Sequence, residues 1–316
     1  MDYVFSVRGV RNGEFGNEPS ASSFLEVPAN ASDLTPGQKI TKAAWIKKVM
    51  EEAKHAPEGG DVGLGDIVFY VHGFNNSTEV VLRRQRAITK GLQDNGFKGV
   101  VVSFDWPSAS SALNYLEDRM DAKQTAFRLV DEGIRAFARL QEPSCRINMH
   151  ILAHSTGAYV VREAFDDADD RPAIAQSSWS VSQVLLLAAD ISASGMEEGS
   201  SKSSSLYRHC VRLTNYYSHF DEVLSLSNVK RVGVAPRAGR IGLPGDVPDK
   251  AVDVYCGNHY RDTYDNDSIT HGHNWHFEDP TLMTDVFHTI DGKIDRTRIP
   301  TRVPATNGDL VLRKLP

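Results

Sequence analysis

The chain has 316 residues, enough for one large domain or two small ones, and its 41% hydrophobic and 24% charged residues are ordinary for a globular protein. A formal net charge of −6 excludes a general nucleic-acid binder, which needs clustered Lys and Arg to neutralise phosphates. No run approaches the ~18 apolar residues of a membrane span, and MDYVFSVRGVRNGEFGNEP lacks the pattern of a signal peptide, so a cytoplasmic location is expected. Cys145, Cys210 and Cys256 are too few and too scattered for a disulfide framework or a zinc site. Cys210 and Cys256, in apolar surroundings, are expected to be buried structural residues.

Near the N-terminus, DYVFSVR and SFLEVP read as short strands joined by a Gly/Asn/Ser-rich loop, and residues 41–55 as an amphipathic helix. IVFYV (67–71) is a continuous apolar run, as in a strand buried on both faces. Residues 77–96 read as a helix, with Ser77 as N-cap, Glu79 in the first turn and Gly96 as stop. GVVVSFDW (99–106) is the next strand, 113–141 a long helix, INMHILAH (147–154) a strand, and 156–168 a helix. VSQVLLLAAD (181–190) is another strand, and residues 206–218 read as a helix leading into a strand. Such alternation implies an α/β fold, a mostly parallel central sheet with helices on both faces.

Residues 230–272 are rich in Gly, Pro, Asp and Arg, with one strand-like piece, AVDVYC. A loop this long in a compact domain is usually functional or mobile. From Gly292 the periodicity is weak, and 292–316 are expected to form an extended surface arm. No linker interrupts the chain, so residues 1–316 are read as a single domain, with 1–60 joined to the sheet.

Ala153-His154-Ser155-Thr156-Gly157 lies between a strand and a helix. This is the context of a nucleophile elbow, in which a serine takes an unfavourable backbone conformation that exposes its hydroxyl. Ala153 and Gly157 supply the small residues such a turn needs, alanine standing where glycine is usual. The alternative is a serine that merely caps a helix. VHGFNNS (71–77) ends the first buried strand, and there the Phe74 and Thr156 N–H groups would form an oxyanion hole; a plain turn is the alternative. The acid that orients the base should follow a later strand. Asp221 suits the Ser–Asp/Glu–His order, with Asp190 its competitor. The base should come last, within ITHGHNWHFEDP, with His273 preferred and His276 second. His271, His273 and His276 also spell H-x-H-x-x-H, but no fixed fourth ligand accompanies them, and neither a metal nor a cofactor is expected.

FYVHGFNNS, SFDWPSASSALNYLEDRMDA, ILAHSTGAYVV, YYSHFDEVLSLS and HNWHF, in that order over residues 65–290, resemble a bacterial α/β-hydrolase family known only as a domain of unknown function. The resemblance implies an α/β-hydrolase fold with a Ser–Asp–His triad, carried here by Ser155, Asp221 and His273. The family's Y-x-S-x-x-D-like segment falls on Tyr216, Ser218 and Asp221, and its Gly-His-Ser-Tyr-like segment on Gly272, His273, Asn274 and Trp275. His276 departs from that pattern. No substrate comes with the resemblance.

Trp106, in Asp105-Trp106-Pro107-Ser108, is a candidate pocket wall at the strand end where active sites collect, or else an aromatic anchor for the loop. Arg231, Arg237 and Arg240 form a basic cluster that could clamp a substrate carboxylate or phosphate, Arg237 foremost; surface salt bridges are the alternative. Glu117, Arg119, Asp121 and the run FDDADDR read as solvated charge. ISASGMEEGSSKSS, where many α/β-hydrolases insert an apolar cap, is short and polar, so a minimal cap is expected. The expected function is a serine hydrolase acting on a small-molecule ester or related acyl bond, without nucleic acid or a membrane span. A non-catalytic binding or scaffolding relative and an acyltransferase using the same triad are the competing readings. The sequence is silent on oligomeric state.

Overall fold

The structure, a computed structural model, describes residues 1–55, 63–108, 123–140, 145–229, 235–265, 268–306 and 308–315. Glu117, Arg119, Asp121, Arg231 and the start of the helix expected from residue 113 lie outside the described residues.

The strands are β1 (Asp2–Arg11), β2 (Glu14–Val27), β3 (Lys39–Ile40), β4 (Lys54–His55), β5 (Gly63–Val71), β6 (Val100–Asp105), β7 (Cys145–His154), β8 (Val181–Leu187), β9 (Cys210–Tyr217), β10 (Ala251–Tyr255), β11 (Arg302–Pro304) and β12 (Leu310–Leu312). They form one sheet in the order β11-β12-β10-β9-β8-β7-β5-β6-β1-β2-β3, with β4 paired to β5. The run from β12 to β1 is parallel throughout, and the outer pairs are antiparallel. A parallel sheet needs both faces covered. Alternation along β5 accordingly sends Ile67, Phe69 and Val71 into one apolar cluster and Val68 and Tyr70 into the other. The first cluster is closed by α1 (Lys42–Ala53), the helical residues around Leu129–Ala138, and α3 (Gly157–Asp169). The second is closed by α2 (Thr78–Asp94) and α6 (Pro280–Asp291). The helix α2 starts where Ser77 accepts from the Val80 N–H at 3.3 Å and stops before Gly96, as its sequence predicts.

Three regions differ from expectation. The N-terminal strands are longer than predicted and form a hairpin whose turn is Asn12-Gly13, both at positive φ (53° and 84°). That dipeptide is a hairpin signal in its own right. The C-terminal segment, expected as an extended surface arm, adds two short strands to the sheet. β12 pairs in parallel with β10, β11 pairs with β12, and Arg302 is buried against Asp285 of α6 at 2.6 Å. Asp285 also accepts from Tyr216 at 2.7 Å and Thr301 at 2.6 Å, so one buried carboxylate fastens the last segment to β9 and α6. Within residues 230–272 the expected strand is present as β10, and the helical turn Ala238–Ile241 and the helix Gly257–Thr263 lie there besides.

Candidate active site

In a parallel sheet all strand C-termini reach one edge, so chemistry placed after different strands converges there. Ser155 follows β7, the Gly73–Asn76 loop follows β5, Asp221 follows β9, and His273 lies on α5 (Ile269–Asn274) beyond β10.

Ser155 has φ 55°, a left-handed conformation that costs an L-residue about 1–2 kcal/mol. Its N–H donates to Leu187 O at 2.9 Å and its carbonyl accepts from Asp190 N–H at 3.0 Å, which fastens the strained turn to the end of β8. The turn is tight enough that a Cβ on Gly157 would lie 2.2 Å from Val71 O. A Cβ on Gly73 would lie 2.8 Å from the Ser155 Cβ, so the β5 loop runs directly against the serine. Thr156 opens α3, where the first N–H groups have no partner within the helix and the dipole favours negative charge. The loop that begins at Gly73 and the start of α3 thus border Ser155.

The Ser155 hydroxyl is 2.8 Å from His273 Nε2, and His273 Nδ1 is 2.7 Å from Asp221 Oδ2. An ionised carboxylate only accepts, so the proton of the neutral ring sits on Nδ1 and Nε2 is left to accept from the hydroxyl. Asp221 Oδ1 accepts from the Leu224 N–H at 3.0 Å, capping α4 (Glu222–Val229), and all three side chains are buried. The competitors lie elsewhere. Asp190 is ion-paired with Arg237 at 3.2 Å and accepts from the Thr156 hydroxyl at 3.4 Å, behind the serine. His276 stacks on Trp275, and its pKa is pushed down to about 3 by burial and then by His273. His271 Nδ1 faces the Tyr260 hydroxyl at 3.2 Å, so the three histidines diverge. Among the described residues, no three His, Cys, Asp or Glu side chains gather as a metal site.

The two expected substrate contacts, Trp106 and Arg237, are both engaged with other parts of the protein. Trp106 is wholly buried, stacked on His72 at 5.3 Å with its Nε1–H donating to His72 O at 2.7 Å, so it anchors the loop. Arg237 is ion-paired with buried Asp190 at 3.2 Å, and Arg240 donates to the Asp221 carbonyl at 3.2 Å, so both described members of the basic cluster are engaged within the protein. A cavity of about 350 Å³, walled by Phe220, Glu222, Tyr260, Tyr264 and Gly272, lies beside the acid and base, and Ser155 is not among its walls.

Several residues at the site carried no warning in the sequence. Arg8 of β1 pairs with buried Asp105 at 2.8 Å and donates to Asn76 O at 2.9 Å. Burial alone would raise the Asp105 carboxyl, but Arg8, His72 and Ser6 outweigh it and hold the group at about 2. His154 Nε2–H donates to the His273 carbonyl at 2.8 Å. Burial, then the charges of His273 and Arg84, keep His154 well below the usual histidine range. The adjacency of His154 to Ser155 was the one available signal.

The fold and the elbow define an α/β hydrolase. The chain belongs to the family described as "alpha/beta hydrolase of unknown function (DUF900)", whose model matches residues 61–245, a stretch that holds Ser155 and Asp221 and ends before His273. No curated protein matches the chain significantly. Among solved structures it is similar to a phospholipase, PlaB, from Legionella pneumophila (14% identity, 66% of this chain and 42% of that one, TM-score 0.30). The chain therefore spans about two fifths of that phospholipase. It is also similar to a cutinase-like protein from Cryptococcus sp. (13% identity, 72% and 94%, TM-score 0.35). A third is a Trichoderma reesei cutinase in complex with a phosphonate inhibitor (14% identity, 79% and 81%, TM-score 0.30). No helix among the described residues is long and apolar enough to cross a membrane.

Proposed function

We propose that the protein is a serine hydrolase that cleaves an ester or related acyl bond of a small-molecule substrate. One observation carries this reading: the chain of hydrogen bonds from Asp221 through His273 to Ser155, 2.7 and 2.8 Å long, at a serine with φ 55°. Ser155 Oγ attacks the acyl carbon as its proton passes to His273 Nε2. The oxyanion takes N–H donors from Phe74 and Thr156, preorganised where charge develops. Asp221 stabilises the imidazolium and holds its orientation. When the tetrahedral intermediate collapses, the bond to the leaving group breaks and His273 returns the proton to that group. Water then gives a proton to Nε2 and attacks the acyl carbon, releasing the acid, and Ser155 recovers its proton. This chemistry asks for no cofactor.

The test is labelling of the purified protein with a fluorophosphonate, with the adduct located by mass spectrometry. A single adduct on Ser155, absent from Ser155→Ala and His273→Ala, is expected. A folded protein that takes no adduct would leave the non-catalytic binding reading in its place.

A further inference from the structure

Two parts of the site must keep register although they come from distant stretches of chain: the Gly73–Asn76 loop and the helix α5 with His273. We propose that Arg84, on α2, is a positioning residue that clamps them together. The proposal rests on the serine-hydrolase reading above.

Arg84 Nη1 donates to Asn76 Oδ1 at 2.8 Å, and Nη2 donates to Asn274 Oδ1. The guanidinium carbon lies 4.7 Å from the Phe277 ring centroid. One half-buried cation therefore joins the residue that organises the oxyanion loop to the neighbour of the base. Asn76 is buried and uses every polar atom of its side chain. With Oδ1 taken by Arg84, its Nδ2 donates to Gly73 O at 2.7 Å and Phe74 O at 3.1 Å, which sets the plane of the peptides that present the Phe74 N–H. Its carbonyl is held by Arg8 at 2.9 Å. On the other arm, Asn274 Nδ2 donates to Thr270 O at 2.7 Å across α5, so a pull on Asn274 moves the helix with His273.

Only arginine suits this place. Two amide oxygens on different segments need two donors in a fixed planar fork that also lies over an aromatic face, and a lysine ammonium offers a point charge instead. Catalytic groups must be held within roughly 0.5 Å of productive geometry. A misplacement of about 1 Å can cost around 100-fold in rate.

The experiment is saturation kinetics of fluorophosphonate inactivation, which separates the maximal rate, kinact, from the binding constant, KI, without a substrate having to be known. Thermal unfolding of each variant reports the fold. Arg84→Ala is expected to lower kinact about 10- to 100-fold with KI within about threefold. Arg84→Lys is expected to recover little of that loss. Asn274→Ala, which removes one arm, should lower kinact by less, and adding it to Arg84→Ala should cost nothing further, because coupled partners are not additive. Wild-type kinact in Arg84→Ala, full recovery in Arg84→Lys, or additive losses in the double variant would overturn the clamp while leaving the hydrolase standing. Should Arg84→Ala not fold, an unchanged kinact in Asn274→Ala overturns it equally. A wild type that takes no label removes the hydrolase reading and the clamp with it.

Discussion

Among the Asp–His pairs of the described residues, two are nearly the same object. In one, His273 Nδ1 lies 2.7 Å from Asp221; in the other, His259 Nε2 lies 2.9 Å from Asp279. Burial is identical, with both histidines 5% and both aspartates 1% exposed. Each aspartate caps a helix with its other oxygen, Asp221 through Leu224 N–H and Asp279 through Leu282 N–H. What differs is the company the pair keeps. His273 presents its second nitrogen to a hydroxyl on a strained turn, whereas the Asp279 oxygen that meets His259 also accepts from Tyr264 at 2.9 Å. A buried carboxylate–imidazole pair is therefore no mark of catalysis. The hydroxyl beyond it is what suggests chemistry.

The sharpest way to break that contrast is to delete both rings. His273→Ala is expected to lower kcat on a p-nitrophenyl ester by about 10⁴-fold or more, with little change in urea unfolding. His259→Ala should do the reverse. It leaves kcat within about threefold and removes roughly 1–3 kcal/mol of stability, because Asp279 stays buried with one donor fewer. Equal losses of activity in the two variants would mean the pairs are not functionally distinct.

Next in size is exchange of the carboxylates for amides. Asp221→Asn can offer an N–H where His273 now donates, favouring the wrong tautomer, and kcat should fall by about 10³- to 10⁴-fold. Asp279→Asn should keep kcat and lower stability by about 1 kcal/mol, through a weakened cap and a poorer partner for His259. An Asp221→Asn enzyme that kept its rate would show that orientation by the acid is unimportant here.

The parts that were legible in the sequence are those decided locally. IVFYV and VSQVLLLAAD read as strands because burial on both faces demands unbroken apolar runs. Ser155 stood out because an elbow needs small neighbours at fixed offsets, and Asp221 and His273 because their motifs follow it in order. The C-terminal strands were not legible. Three residues such as Leu310–Leu312 carry no period, and their place is set by Arg302 meeting Asp285 across the fold. Arg84 was hidden in the same way, one cation among Arg83, Arg84 and Arg86 on an ordinary helix, until Asn274 arrived from 190 residues away. Trp106 and Arg237 read two ways in the sequence because an aromatic or a cation at a strand end serves packing as readily as binding. The residue type does not say which, and a buried partner does.

The smallest effect sharpens the comparison from the structural pair's side. Burial raises the Asp279 carboxyl, but His259, the Leu282 N–H and Tyr264 outweigh it, so the group titrates below its ordinary value. A carboxyl depressed in the folded state adds stability that is fully present above its unfolded pKa, about 3.9, and is lost as pH falls through the folded value. Wild-type stability should therefore drop on acidification below about pH 4, and part of that slope should belong to Asp279. In Asp279→Asn the slope should be shallower, since an amide has no proton to gain, although the variant is less stable at pH 7. Urea unfolding from pH 6 down to pH 3 reads the difference between the two curves. Parallel curves would mean that the Asp279 cluster gains nothing from its charge and holds α6 by shape and neutral hydrogen bonds alone.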